Sequence, residues 1–194
     1  SNDLCYSDTP LIPLRQYGPN RQPTLEHVFV SGGYREGSNN RTINRPEAEF
    51  IVQRIAEMCG DSQYNRKTMG VVVLQGEAQA ALIENQLLER LGAEEMERRR
   101  LVCGNPYSFQ GDERDIMFLS LVAASNERIG PLTKAADERR FNVAASRARD
   151  MMILFHSVTC DDLSASCLRR HLLDFFENTK PQQIAGIERD ELER

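Results

Sequence analysis

What the 194 residues lack narrows the possibilities first. No run approaches the roughly 18 to 20 apolar residues of a membrane-spanning helix, so no membrane span is expected. The opening Ser1-Asn2-Asp3 has no basic stretch leading into an apolar one, which excludes a secretory leader of the usual design. Ser1 in place of a start methionine predicts that the chain is cut from a longer one. Cysteine is scarce and unpaired in pattern: the five (Cys5, Cys59, Cys103, Cys160, Cys167) form no CxxC, and His27, His156 and His171 are far apart in sequence. Neither a disulfide framework nor a metal site is expected, and the expected compartment is the reducing cytoplasm. Cys103 sits in an apolar run and reads as a small core residue. Basic charge is not in excess either. With 24 Lys and Arg against 29 Asp and Glu, the net charge is -5. That rules out adhesion to nucleic acid by bulk charge alone, though not a grip by a few placed groups. Finally, there is no GxxxxGK[ST] segment and no acidic pair closing an apolar strand, so the chain carries no phosphate-binding loop of its own.

What is present reads as alternating strands and helices. Residues 1–26, rich in Pro, Asn, Gln and Arg, read as a connector. Strands are predicted at 27–31 (HVFVS), 69–74 (MGVVVL), just after 98–103, at 116–122 (IMFLSLV) and at 151–155 (MMILF). The valine-rich run at 69–74 has the continuous apolar character of a central parallel strand. Asn44-Arg45-Pro46-Glu47 opens a helix: Asn44 caps, Pro46 suits the first turn, and Glu47 returns a bond to the cap. Ala48, Ile51, Val52, Ile55, Ala56 and Cys59 follow at helical spacing, and Gly60 ends the helix. A second helix spans 77–91 with Ala78, Ala81, Leu82, Asn85, Leu88 and Leu91 on one side. Residues 137–149 have helical composition, and 167–178 close the domain on Leu168, Leu172 and Phe175. The tail, 181–194, is charged and reads as a linker. The fold class that follows is α/β, a parallel sheet with helices on both faces.

Two segments are unusually polar for such a sheet, and open parallel sheets bind ligands at the carboxyl ends of their strands, where both are expected to lie. Residues 104–115 (GNPYSFQGDERD) gather polar side chains around Gly111, where a glycine lets backbone approach a ligand. By composition a plain turn explains this segment equally well. Residues 138–149 (ERRFNVAASRAR) hold Arg139, Arg140, Arg147 and Arg149 among small apolar residues. On a helix, Arg140 and Arg147 share a side, and Asn142 and Arg149 share another. A guanidinium fixed this way can neutralise a transferring phosphate, but spacing alone favours a solvated basic face.

The motifs themselves go further. FQGDERDIMFLSLV followed by RRFNVAASRAR resembles motifs V and VI of superfamily 1 helicases, of the branch containing the nonsense-mediated-decay-type helicases. The resemblance covers residues 27–158. It implies a RecA-like fold, a P-loop NTPase fold without its own P-loop, serving as the second of two motor domains over residues 27–180. In that family ATP and Mg2+ are held by the upstream RecA-like domain of the same protein. The resemblance places the arginine finger at Arg147. It gives Gln110, Gly111, Glu113, Asn142 and Arg149 as further nucleotide-facing residues, and Asn105, Tyr107 and Ser108 as contacts to single-stranded nucleic acid, DNA being favoured. Ser146 stands where threonine is usual, Asn105-Pro106 where motif V opens with threonine and valine, and Gln75-Gly76 where motif IV carries Pro-Tyr. Two functions are thereby in play. One is the C-terminal motor domain of an ATP-dependent helicase or translocase. The other is a non-catalytic nucleic-acid-binding or interaction module on the same fold. The chain alone is expected neither to bind ATP tightly nor to hydrolyse it.

Overall fold

The computed structural model describes residues 23–109 and 111–178. Strands β1 (Thr24–Phe29), β2 (Met69–Val73), β3 (Val102–Gly104), β4 (Arg114–Ala124) and β5 (Ala148–Ser157) form one sheet in the order β1-β5-β4-β2-β3. Every neighbouring pair is parallel. Parallel neighbours need crossovers, and four helices lie between strands: α1 (Arg45–Gly60), α2 (Glu77–Leu91), the short α3 (Ala93–Arg98) and α4 (Ala135–Ala145); a fifth, α5 (Leu168–Asn178), follows β5. The expected RecA-like α/β class is what is observed.

Side-chain alternation along the central strands builds two cores. Val71, Val73, Ile116, Phe118, Ile153 and Phe155 face Ile51 and Ile55 of α1 and Ile83 and Leu87 of α2. Val72, Met117, Leu119, Met152 and Leu154 face the other way, onto Phe141 of α4 and Leu172, Leu173 and Phe176 of α5. All five residues of β2 are buried, as a strand covered on both faces requires.

Three local expectations change. The buried stripe of α2 runs through Gln79, Ala80, Ile83 and Leu87, whereas Leu88 is 48% exposed. The helix is apolar on more than one side, and the side turned inward also carries Gln79, which is bonded to the backbone of Asn44. The cap of α1 is half as predicted: Glu47 N–H donates to Asn44 Oδ1 at 3.2 Å, but the Asn44 N–H goes to Gln79 Oε1 at 2.9 Å, not to Glu47. Lastly, α4 stops at Ala145, and β5 begins at Ala148. The Arg114 N–H donates to the Arg147 carbonyl at 3.0 Å, which pulls the chain off the helix and into register with β4. Arg147 and Arg149 therefore lie outside the helix, and the helical pairings Arg140/Arg147 and Asn142/Arg149 do not exist.

Most of the predicted connector and the whole of the predicted tail lie outside the described residues. Two histidines 129 residues apart meet across β1 and β5. His156 Nδ1 lies 2.7 Å from the Val158 carbonyl and must donate to it, so its Nε2 accepts from His27 Nδ1 at 3.2 Å.

Candidate functional site

The polar segment before β4 is built on one buried arginine. Arg114 is 3% exposed, and its Nε donates to the Arg100 carbonyl at 2.8 Å. Its Nη1 donates to the Glu113 carbonyl at 3.1 Å and pairs with Asp112 Oδ2 at 2.7 Å. The guanidinium also lies over the Phe109 ring, 5.7 Å from its centroid. The Arg114 hydrogen bond, with its charge, holds the Asp112 carboxyl below the usual carboxylate range. Asp115 ties the start of β4 to the start of β2: its Oδ2 accepts from Thr68 N at 2.8 Å and Thr68 Oγ1 at 3.0 Å. Between these anchors Gly111 takes φ +79°, and a Cβ there would meet nothing within 4 Å. Its glycine is thus required by a left-handed backbone, not by a close approach.

On this frame Glu113 meets one arginine of the second polar segment. Arg149, the second residue of β5, places Nε 3.1 Å from Glu113 Oε2. Arg147 sits at the bend between α4 and β5, with Nε donating to the Val143 carbonyl at 3.2 Å. Among the described residues its guanidinium has no ion-pair partner. Glu113, Arg147 and Arg149 are all half-buried. Asn142 is 7% exposed inside the last turn of α4, where its carbonyl accepts from Ser146 N at 3.1 Å, so it supports the bend from below. Gln110 lies outside the described residues. Asn105 folds its Oδ1 back onto the N–H groups of Tyr107 (2.9 Å) and Ser108 (3.3 Å), closing a turn. Tyr107, 48% exposed, faces outward on that turn, and the side chain of Ser108 lies over Gly104, where an added Cβ would clash with its Oγ.

The expected edge is corrected. Glu113 immediately precedes β4 and Arg147 immediately precedes β5, so both lie at the amino ends of parallel strands. The reason is topological: both residues run directly into the next strand, and in a parallel sheet every strand, like β3 beside β2 (Gly70↔Val102, Val72↔Gly104), starts at the same edge. The chain then returns to the amino edge before β4 begins.

The carboxyl ends carry something the sequence reading assigned only to capping. Glu47 is fully buried. Its Oε1 accepts from Ser120 Oγ at 2.6 Å and Val122 N at 2.9 Å, and its Oε2 lies 3.4 Å from both Ser157 Oγ and Asn44 Nδ2. Asn44 Nδ2 also reaches Ser157 Oγ at 3.0 Å, while Gln79 Nε2 donates to the Asn44 carbonyl at 3.0 Å. Burial pushes the Glu47 carboxyl up to about 7, against the four hydrogen bonds that favour its ionised form. The register of β4 shifts between Ser120 and Ala124, and Val122 takes φ 67°, a conformation costly for a β-branched residue. The signal was in the sequence: a lone serine inside IMFLSLV must find a partner once buried.

The amino-edge cluster offers an available guanidinium and a carboxylate already held by a second guanidinium. That fits a partner bringing phosphate charge. It does not fit a complete magnesium site, because the one convergence of three ligand-type side chains among the described residues is Cys160, Asp174 and Glu177, beyond the carboxyl end of β5. Among the described residues no helix is long and apolar enough to cross a membrane.

Comparison with known proteins points one way. The AAA domain family matches residues 10–158. An uncharacterised ATP-dependent helicase of Mycoplasma pneumoniae, the MG140 homolog, is 32% identical over 188 residues. That alignment covers 89% of this chain and 16% of the relative. The MG140 helicase of Mycoplasma genitalium is 32% identical over 187 residues, with the same coverage of each. The putative helicase mov-10-B.1 of Danio rerio is 26% identical over 148 residues, 68% of this chain and 14% of the relative. The chain thus spans about one sixth of the length of the relatives it matches.

Proposed function

Since the chain belongs to the AAA domain family, in the helicase form typified by superfamily 1, we propose that it is the second motor domain of an ATP-dependent helicase or translocase. It completes a nucleotide site whose phosphate loop and Mg2+ belong to another RecA-like domain of the same protein. Arg147 is the finger: when the two domains close on ATP, its guanidinium meets the γ-phosphate and offsets the charge that spreads over the phosphoryl oxygens during transfer. Glu113 and Arg149 fix the geometry beside it. Opening and closing of the cleft then moves the domain along a single strand, DNA being the favoured track, gripped by backbone charge and base stacking instead of sequence.

The observation that carries this reading is the state of Arg147. It stands at a bend between two rigid elements with one bond to its own turn, while its neighbour Arg149 takes the carboxylate. The test is nucleic-acid-stimulated ATP hydrolysis by a full-length protein containing this domain, wild type against Arg147→Ala. Turnover is expected to fall about 100-fold or more with ATP binding retained, since a finger is worth roughly 10³ to 10⁵ in rate. Unchanged turnover would remove Arg147 from the site. ATP hydrolysis by the isolated 194-residue chain would contradict the division of labour between domains.

A further inference from the structure

Cys167 immediately precedes α5 and is fully buried. Its carbonyl accepts from the Arg170 N–H at 2.9 Å and the His171 N–H at 3.2 Å, which makes it the cap residue of an 11-residue helix. Its own N–H donates to the Ser164 carbonyl at 3.0 Å. The sulfur stands where a capping oxygen usually does. It accepts from the backbone N–H groups of Arg169 and Arg170 in the first turn, and from that of Leu132 in the stretch before α4.

The same turn holds a buried guanidinium. Arg169 is 3% exposed, and its Nη1 donates to the Gly130 carbonyl at 3.2 Å and its Nη2 to Gln75 Oε1, both neutral acceptors. Burial is what most disfavours its charge, and the Cys167 sulfur is what most favours it, by charge and by a side-chain hydrogen bond. Arg35, after β1, opposes the charge, and Asp137 of α4 supports it more weakly. Arg35 has an acidic neighbour of its own in Glu127, at 3.6 Å. A buried charge without a counter-ion is strongly destabilising. Arginine keeps its proton in a folded chain, whereas a thiol gives its proton up when N–H donors and a cation surround it. Burial works against ionisation of Cys167, but the three N–H groups and the Arg169 charge outweigh it and hold the thiol below its ordinary range. Burial raises the other described thiols, Cys59, Cys103 and Cys160.

We propose that Cys167 is ionised in the folded chain and is the counter-ion of Arg169, the pair locking the amino end of α5 to residues 130–132, which lead into α4. The thiol proton goes to solvent, and nothing is oxidised or reduced. Three contacts make the lock: the Leu132 N–H on the sulfur, Arg169 on the Gly130 carbonyl, and the Leu168 N–H on the Leu132 carbonyl at 3.0 Å. When acid returns the proton to the sulfur, the Arg169 charge loses its counter-ion and the 130–132 stretch loosens. A thiol lowered in the native state stabilises the fold above its unfolded value, and that stability is lost as pH falls through the native one. The lock lies before the first residue of α4, and Arg147 follows the last. It needs no nucleotide, so its test is independent of the Arg147→Ala experiment.

The deciding experiment is the ultraviolet thiolate absorbance of the 194-residue chain, wild type minus Cys167→Ser, titrated from pH 5 to pH 9. Serine keeps a capping oxygen and does not ionise in this range. The difference is expected to show thiolate already at pH 7, with a midpoint below the roughly 8.5 of a free thiol. Wild type minus Cys160→Ser should show none at pH 7. Arg169→Met should raise the Cys167 midpoint by about 1 pH unit or more, a roughly tenfold fall in the ratio of thiolate to thiol. If that variant does not fold, amide hydrogen exchange takes its place. Corrected for the intrinsic rate, exchange at Leu132 should quicken several-fold more in wild type than in Cys167→Ser as pH falls from 9 to 5. A difference signal that emerges only at the pH of a free thiol overturns the proposal. So does a midpoint unmoved in folded Arg169→Met, or an equal change of Leu132 exchange in wild type and Cys167→Ser.

Discussion

Replacing Glu47 by glutamine should flatten the pH dependence of stability between pH 5 and pH 8. The carboxyl is fully buried with no cation paired to it among the described residues, and burial raises it from an ordinary 4.5 to about 7. The native state therefore takes up this proton before the unfolded chain does. Its contribution is fully present below pH 4.5 and is lost as pH rises through 7. The gap, 7 - 4.5 = 2.5, corresponds to about 3 kcal/mol at 1.36 kcal/mol per pH unit. His156 works against it in the same window. Burial lowers its pKa, so its contribution is present above the ordinary histidine range and fades as pH falls. Comparing wild type with Glu47→Gln cancels the histidine, because the variant retains it. Glutamine is nearly isosteric and can still accept from Ser120 Oγ and Val122 N, so both proteins should fold. Urea denaturation at pH 5 and pH 8 should show wild type losing about 2 to 3 kcal/mol relative to the variant over that interval. Equal pH dependence in the two proteins would mean that Glu47 titrates near its unfolded value, and the argument from burial would fail.

Two further expectations concern the frame of the site. Arg114→Met fills similar volume but orphans the Arg100 and Glu113 carbonyls and the Asp112 carboxylate, so a loss of roughly 2 to 4 kcal/mol is expected by urea denaturation. A loss under 0.5 kcal/mol would show that the arginine is incidental. Gly70→Ala and Gly111→Ala should differ in mechanism. A Cβ at Gly70 would lie 2.8 Å from Phe109 Cε1 and 2.9 Å from Met117 Sδ, an overpacking worth about 1 to 3 kcal/mol. At Gly111 only the left-handed backbone is penalised, about 1 kcal/mol, and there the loss should not change when Phe109 is trimmed to leucine, whereas at Gly70 it should shrink.

The sequence reading succeeded where one force dominates. Strands buried on both faces must be apolar throughout, so 69–74, 116–122 and 151–155 mark the sheet, and α2 was bounded at 77–91 as observed. It went wrong where a long-range partner decides. Nothing local ends α4 at Ala145, since Ala-Ala-Ser-Arg-Ala-Arg is sound helical composition; the bond from Arg114 N–H to the Arg147 carbonyl ends it, and Arg114 is 33 positions earlier. The Glu113–Arg149 contact was legible as two charges in two motifs but not as a pair, because 36 residues separate them. Arg114 was one polar residue among several, and its burial depends on two carbonyls and an aromatic ring that only the fold brings together. Residue-type cues also misplace the edge of the sheet: polar composition marks both segments but not the end of a strand they sit at, which follows from their running directly into the parallel strands β4 and β5.

At the amino edge the Glu113 carboxylate is held by Arg149, while the Arg147 side chain bonds to its own turn. Arg149 is held in a strand, so its pairing with Glu113 at 3.1 Å requires little ordering. Arg147 is two residues earlier, at the bend, and its carbonyl bonds to the residue that follows Glu113. If Arg149 is removed, Arg147, at the bend just before β5, is the arginine left nearest to it in sequence to turn to Glu113. A finger committed to that carboxylate would have to leave it to meet a phosphate. Arg149→Ala in the full-length protein is therefore expected to lower kcat more than it raises KM, although Arg147, the proposed finger, is itself intact. Adding Glu113→Gln to that variant removes the competing charge and should restore part of kcat, a non-additive result that independent contacts would not give. If the double variant is simply the product of the two single losses, Glu113 acts on the nucleotide directly and Arg149 does not guard the finger.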